Sequence, residues 1–253
     1  MIVTLFGDAV VPRGGELWLG TVLEVFAGME IGGNVVRTAM SRLASDGWLE
    51  RSRIGRNSFY RLAEKGRDIF AEAAVRIYAP TRRVWDGAFR IAVVPDAAAE
   101  GFVALAPGVL IAAWPGSVGG AVMLRAETDA VSARLLASQV WPTGRLGEGY
   151  RRFVAAFAPL AAHVAQHDMS GLEAVLARLL LIHAFRRVVL HDPMLPDALL
   201  PEDWPGHAAR RLCAELYTVL VPESERWLDE HGLTGSGRLP APAIRLERRF
   251  RDG

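Results

Sequence analysis

The order of patterns between Glu16 and Phe70 restricts this chain more than any other feature. Leu19, Val22, Leu23 and Phe26 recur at helical spacing and give one helix a single apolar stripe. Gly28 and then Gly32-Gly33 break that helix, as a turn between two helices does. Asn34 suits the start of the next one, because its side-chain oxygen can accept from the free amides of the first turn. Val36, Met40 and Leu43 then fall at i, i+4 and i+7 and form an inward stripe. Asn34, Arg37, Thr38, Ser41, Arg42 and Ser45 take the other face, and Gly47 ends the helix. Residues 48–53 and 58–62 read as two strands around a turn, with Arg53, Arg56 and Asn57 at the tip. A further helix follows, with Ile69, Phe70 and Ala73 expected inward. Two helices and then a hairpin with a basic tip make the winged-helix arrangement. Its second helix enters the major groove and its hairpin reaches nearby backbone or the minor groove.

Charge supports that reading. The whole chain is near neutral, with 29 basic against 28 acidic residues, which excludes a histone-like polycation. From Arg37 to Arg67, however, eight basic residues face three acidic ones, a local surplus of five. A local surplus on a neutral protein points to a local polyanionic partner. A solvated arginine-rich surface is the plainer reading of any single charge run, and here the order of elements favours nucleic acid. Arginine suits guanine edges, and short polar groups suit other edges and phosphates. Arg37 and Arg42, with Asn34, Thr38 and Ser41, are the candidate groove contacts. Arg53, Arg56 and Asn57 are the candidate hairpin contacts.

Enzyme chemistry finds little support. Lys65 is the only lysine and lacks the glycine spacing of a phosphate-binding loop. Residues 115–119, Pro-Gly-Ser-Val-Gly, lack the first glycine of a nucleophile elbow. His163, His167 and Asp168 could approach one another at a helix end and hold a divalent metal, although such residues are commoner as ordinary surface groups there. His191-Asp192 precedes a proline and reads as a turn. Cys213, the single cysteine, excludes a disulfide framework within the chain and reads as a small core residue. No catalytic set, resident metal or cofactor is expected. The N-terminus has no basic start and meets Asp8 early, which makes a poor signal peptide. The apolar run from Ala174 to Phe185 contains Arg178 and His183 and is too short to span a bilayer. A soluble cytoplasmic protein without membrane contact is expected.

With 253 residues, 51% of them hydrophobic, the chain can build one large domain or two to three small ones. The pattern predicts an α+β multidomain protein. Residues 1–80 form the winged helix, 81–142 a middle domain and 143–253 a helical domain with a basic tail. In the middle domain, Ala88 to Val94, Val109 to Trp114, Ala121 to Leu124 and Ser138 to Trp141 read as strands. Asp96 to Leu105 and Thr128 to about Ala137 read as helices, and the resulting order βαββαβ is ferredoxin-like. Residues 78–83 read as a linker. Farther on, Ser170 and Glu173 form a capping box ahead of a long helix. Ala208 to Val221 and Ser224 to His231 read as two more helices. The tail from Ser236 has a surplus of three positive charges. It is open to three readings: a loose solvated end, an arm beside DNA or a dimer contact.

Two separated clusters give the chain a family resemblance. The first comprises Ile2 to Asp8, Pro12 to Glu16, Trp18-Leu19-Gly20, Val36 to Leu43 and Asp46 to Leu49. The second comprises Leu181-Ile182-His183, Phe185-Arg186-Arg187, His191 to Pro196, Leu199-Leu200-Pro201, Asp203 to Gly206 and Leu212-Cys213. Together they resemble the PaaX family, bacterial transcriptional repressors of aromatic-acid catabolism. The resemblance implies a homodimer on double-stranded operator DNA, released by an acyl-coenzyme A effector, phenylacetyl-coenzyme A in the type case. It implies the same three-domain plan. Such an effector needs arginines beside an apolar pocket. Arg186 and Arg187 with Trp204, or Arg151-Arg152 with Phe153, carry those ingredients, although an exposed arginine pair beside a core aromatic would look the same. Two other classes stay open. One is a winged helix that binds protein. The other is a metal-dependent nuclease, because the middle domain of this family resembles that of small CRISPR-associated nucleases and Asp96 lies near the end of its first strand.

Overall fold

A computed structural model describes residues 1–78, 84–94 and 98–250. Contacts gather the chain into two compact units. One comprises 1–80, 153–190 and 208–253, the other 81–152 and 191–207. Residues 143–253, expected as one helical domain, are therefore divided between them.

The first unit begins with α1 (Ile2–Leu5), which runs on through tighter and wider turns to Arg13. Then come β1 (Glu16–Trp18), α2 (Leu19–Ala27), α3 (Gly33–Ser45), β2 (Leu49–Ile54), β3 (Asn57–Leu62) and α4 (Glu64–Tyr78). The strands form one antiparallel sheet in the order β1-β3-β2. Register across the hairpin runs from Leu49 opposite Leu62 to Ile54 opposite Asn57, which leaves Gly55-Arg56 as a two-residue turn. Gly55 takes φ +60° there, a value costly for a residue with a Cβ. Gly47 takes φ +74° just past α3 and ends that helix as expected.

Val22, Val25 and Phe26 of α2 and Val36 and Met40 of α3 are buried together with Leu5, Phe6 and Val10. Each such side chain contributes about 1.5–3 kcal/mol by leaving water. Two local expectations change. The cap of α3 is Gly32, not Asn34, which lies inside the helix and accepts from Arg37 Nη1 at 3.4 Å. Ile69 of α4 faces solvent, whereas Phe70 and Ala73 are buried as expected.

The second unit holds β4 (Ala88–Val93), β5 (Val103–Ala106), β6 (Val109–Ala112), β7 (Val122–Glu127) and α5 (Ala130–Val140). Its antiparallel sheet has the order β5-β6-β4-β7. This corrects the βαββαβ expectation. Val103–Ala106 is a strand where a helix was expected, and residues 138–140 close α5 instead of forming a last strand. Short apolar runs do not distinguish these states by period alone. Asp129, one residue after the expected helix start at Thr128, caps α5 by accepting from the amides of Val131 and Ser132. In the same unit the hydroxyl of Tyr150 donates to Asp192 at 2.7 Å, and Asp192 also accepts from the amide of Met194, the turn expected there. Pro95 and Asp96, and most of the expected linker at 78–83, lie outside the described residues.

The remaining helices are α6 (Thr143–Val164), α7 (Gly171–Val189) and α8 (Pro205–His231), with a small β8 (Leu233–Thr234) and β9 (Gly237–Arg238) pair after them. The capping box at Ser170 and Glu173 is present. The two helices expected around Pro222 are one, because α8 runs through that proline.

As far as Phe250 the tail is not a loose end. Leu246 is buried, and Phe250 packs edge-on against Tyr78 and Tyr217, with ring centroids 5.3 Å from each. Arg249 Nη1 reaches Asp8 Oδ1 at 2.8 Å. Asp8, fully buried, also accepts from Tyr78 at 2.5 Å, Tyr217 at 3.0 Å and Arg178 Nε at 2.7 Å. Arg178 passes the network to Glu225 at 2.5 Å, and Glu225 to the buried Arg13 at 2.6 Å. This ionic knot fastens the N-terminal segment, α4, α7, α8 and the tail of the first unit together.

Candidate nucleic-acid interface

The basic stretch from Arg37 to Arg67 is sorted by the fold into two sets. Four of its eight cationic side chains are engaged within the unit. Arg51 donates to Ser58 Oγ at 2.8 Å, and Arg61 pairs with Glu16 at 3.5 Å. Arg67 donates to the carbonyl of Leu62 at 2.9 Å, and the Lys65 ammonium lies 5.5 Å from the Trp48 ring centre. The other four are Arg37, Arg42, Arg53 and Arg56, and all are exposed. Arg42, Arg53 and Arg56 make no hydrogen bond or ion pair among the described residues, and Arg37 only the long one to Asn34.

The free set falls on two elements. On α3, Arg37, Thr38, Ser41, Arg42 and Ser45 line one shallow open hollow together with Asp46, while Val36 and Met40 anchor the opposite side of the helix in the core. Asn34 is exposed on the first turn of the same helix. At the hairpin tip, Arg53, Arg56 and Asn57 are exposed around the Gly55-Arg56 turn. The sheet holds the hairpin firmly, because Phe59, Tyr60 and Leu62 of β3 are buried while β2 is exposed from Glu50 to Ile54. Two guanidinium groups on a helix flanked by short hydroxyl side chains, and two more on a rigid projecting turn, can bind a polyanion. The first set has the reach and donor types for base edges, and the second for phosphates.

The other candidates fare differently. Arg186 Nη1 donates to Thr4 Oγ1 at 3.0 Å, and Arg187 is exposed. Trp204 belongs to the second unit, where it is nearly buried and packs edge-on to Tyr150 at 5.7 Å, as a core residue does. Phe153 is a core residue of the first unit, against Phe157 and Phe185. His163 and His167 stack at 4.6 Å. Among the described residues no three histidine, cysteine or acidic side chains are grouped so as to hold a metal ion. Cys213 is buried, and burial pushes its thiol well above its usual value, which makes it unreactive. No described helix is long and apolar enough to cross a membrane.

Sequence reasoning missed the Asp8 knot. Its one local signal is an isolated carboxylate in the otherwise uncharged run from Ile2 to Val11.

Comparison with known proteins bears on both ends of the chain. A family model described as PaaX-like protein matches residues 1–66, and one described as PaaX-like protein C-terminal domain matches residues 141–230. The transcriptional repressor PaaX of Escherichia coli (strain K12) is 34% identical over 280 residues, which span 99% of this chain and 89% of that protein. A solved structure of an uncharacterized protein from Mycobacterium tuberculosis superposes with a TM-score of 0.54 at 22% identity. It covers 82% of this chain and 89% of its own, and at that identity the likeness is one of fold.

Proposed function

The chain belongs to the PaaX family, and from that membership we propose that it is a transcriptional repressor of a phenylacetate-type catabolic operon, released from operator DNA by an aryl-acyl-coenzyme A ester. The Escherichia coli relative is a transcriptional repressor, which makes this a family of regulators and not of enzymes. In this reading residues 1–80 are a winged-helix DNA-binding part. The order β1, α2, α3, β2, β3 and the sheet order β1-β3-β2 support that label. α3 is the recognition helix and the β2–β3 hairpin the wing. Arg37 and Arg42 read base edges or phosphates, Asn34, Thr38 and Ser41 make shorter contacts, and Arg53, Arg56 and Asn57 steady the wing on the backbone.

The observation that carries the proposal is the sorting of charge. Of the eight cations in the basic stretch, the four left without a firm partner stand on the outer face of α3 and at the wing tip. A homodimer would present two such helices to an inverted repeat and fix the half-site spacing.

Fluorescence anisotropy of the protein on DNA from upstream of its own gene, against scrambled duplex and at several salt concentrations, tests this. Preference for the native fragment with a steep salt slope is expected. Phenylacetyl-coenzyme A is expected to reverse it. Absence of any salt-dependent affinity for duplex would transfer the wing and α3 to the protein-binding alternative.

A further inference from the structure

The DNA reading leaves open what fixes the far end of the β2–β3 hairpin. β1 pairs with β3 only from Phe59 to Arg61, so beyond Phe59 the hairpin is two strands wide. A two-stranded ribbon is marginal in water by itself. Yet this end carries Arg53, Arg56 and Asn57, with Ile54 beside them 54% exposed.

A smaller hairpin leans on it. β8 and β9 pair through Leu233 opposite Arg238 and Thr234 opposite Gly237, which leaves Gly235-Ser236 as the turn. The base of this hairpin is fixed. Leu239 is buried in the same core as Leu17 and Leu49, and its amide donates to the Gly232 carbonyl at 2.9 Å. The turn reaches β1, where the Gly235 amide donates to Glu16 Oε2 at 2.8 Å. The other oxygen of Glu16 holds Arg61 of β3 at 3.5 Å. A Cβ on Gly235 would stand 2.7 Å from Ile54 Cδ1 and 3.1 Å from Glu16 Oε2. Backbone freedom does not explain this glycine, because Gly235 has no left-handed φ, whereas Gly237 takes +130°. Close approach does: the turn and the Ile54 side chain leave no room for a side chain between them.

We propose that Gly235, Glu16 and Ile54 are positioning residues for the β2–β3 hairpin: the β8–β9 turn props its tip and so sets where Arg53 and Arg56 meet the DNA backbone. A propped tip has less freedom to lose when its cations reach phosphate, and a displaced one forfeits the contact. Gly235 and Glu16 act through the hairpin and not on DNA. The inference rests on the repressor reading for its consequence at DNA, but not for the contact itself.

Two measurements separate those parts. Amide NMR of the free protein reads the contact. Glu16→Ala removes the acceptor of the Gly235 amide, and Glu16→Gln keeps one. The amides of Gly235, Ile54, Gly55 and Arg56 should shift together in Glu16→Ala and stay near their wild-type positions in Glu16→Gln. Tip amides unmoved in both Glu16→Ala and Gly235→Val overturn the prop whatever the DNA does. Anisotropy on duplex reads the consequence. Gly235→Val should lower the slope of log affinity against log salt by about 1, with single-base preferences and the urea midpoint as in the wild type. Adding Arg56→Ala should lower the slope no further, because a displaced tip has no phosphate contact left to lose. Adding Ile54→Ala to Gly235→Val exchanges the sizes of the two residues and should restore the wild-type slope. If Arg56→Ala lowers the slope as much in Gly235→Val as in the wild type, the positioning role is overturned. A loss of affinity that follows a lowered urea midpoint and ignores Ile54→Ala overturns it too. Absence of salt-dependent affinity in the wild type would overturn the consequence at DNA together with the repressor reading, and the amide shifts would still decide the prop.

Discussion

The first unit uses arginine in two opposite ways. Around Asp8 the guanidinium groups of Arg13 and Arg178 are buried and fully engaged. On α3 and the hairpin, Arg42, Arg53 and Arg56 are exposed and engage nothing among the described residues. A buried guanidinium that lacks a partner costs several kcal/mol, whereas an exposed one costs nothing and stays available. Burial therefore separates the arginines that hold the unit together from those that can hold something else. The contrast implies that removing one kind should change stability and spare recognition, and that removing the other should do the reverse.

The largest test is Arg178→Ala. It takes one of two arginine partners from each of Asp8 and Glu225 and should cost about 3–5 kcal/mol in urea unfolding at neutral pH. The folded fraction should still bind DNA as the wild type does. Loss of DNA affinity in fully folded Arg178→Ala would break the division. Acid should act on the same knot. Burial alone pushes the Asp8 carboxyl up, but the charges of Arg178 and Arg249 and the hydroxyls of Tyr78 and Tyr217 outweigh it and hold it below the usual 3.8. The unfolded chain then takes up this proton more readily than the folded one. The stabilisation is complete above the unfolded value and is lost as pH falls through the lower folded value. Urea midpoints measured from pH 5 downward should fall less steeply in Asp8→Asn than in the wild type.

The two regions also differ in how far they could be read from sequence. The α2–α3–hairpin segment was legible because its signals are local. Helical spacing, a two-glycine break, Gly47 at the end of α3 and Gly55 at the hairpin turn all act within a few residues. Even there, the sequence favours the polar Asn34 as the cap, whereas the chain uses Gly32. The knot was not legible, because Asp8 meets Tyr78, Arg178, Tyr217 and Arg249 across 70 to 241 positions. Nothing in the basic tail shows that Arg249 and Phe250 dock while Glu247 and Arg248 stay exposed. In the second unit the difficulty was ambiguity of state and not distance. A run such as Val103–Ala106 suits a strand or a helix until its pairing with β6 decides. The α3 surface was legible as a list of side chains, but not as the one shallow hollow that gathers them.

Next in size is Arg42→Ala. If Arg42 reads guanine, it should cost about 1–3 kcal/mol at one base pair and relax preference there. Unfolding stability should stay within about 0.5 kcal/mol, as for surface changes away from structural features. Competition anisotropy over single-base operator variants distinguishes the cases. A loss equal on every sequence would reassign Arg42 to phosphate, and a loss of stability would move it to the structural set.

The smallest effect is expected at the hairpin tip. Arg56 occupies the two-residue turn itself, beside Gly55, and in the proposed docking its cation meets the DNA backbone. Arg56→Ala should then weaken binding about equally on all duplexes and lower the slope of log affinity against log salt by about 1. The slope is the sharper readout, because it counts phosphate contacts and is insensitive to base-edge contacts. An unchanged slope would mean that the turn does not touch the backbone. A sequence-dependent loss would instead place Arg56 in a groove. In either case the two elements that carry the free arginines would no longer divide the work as positioning and reading.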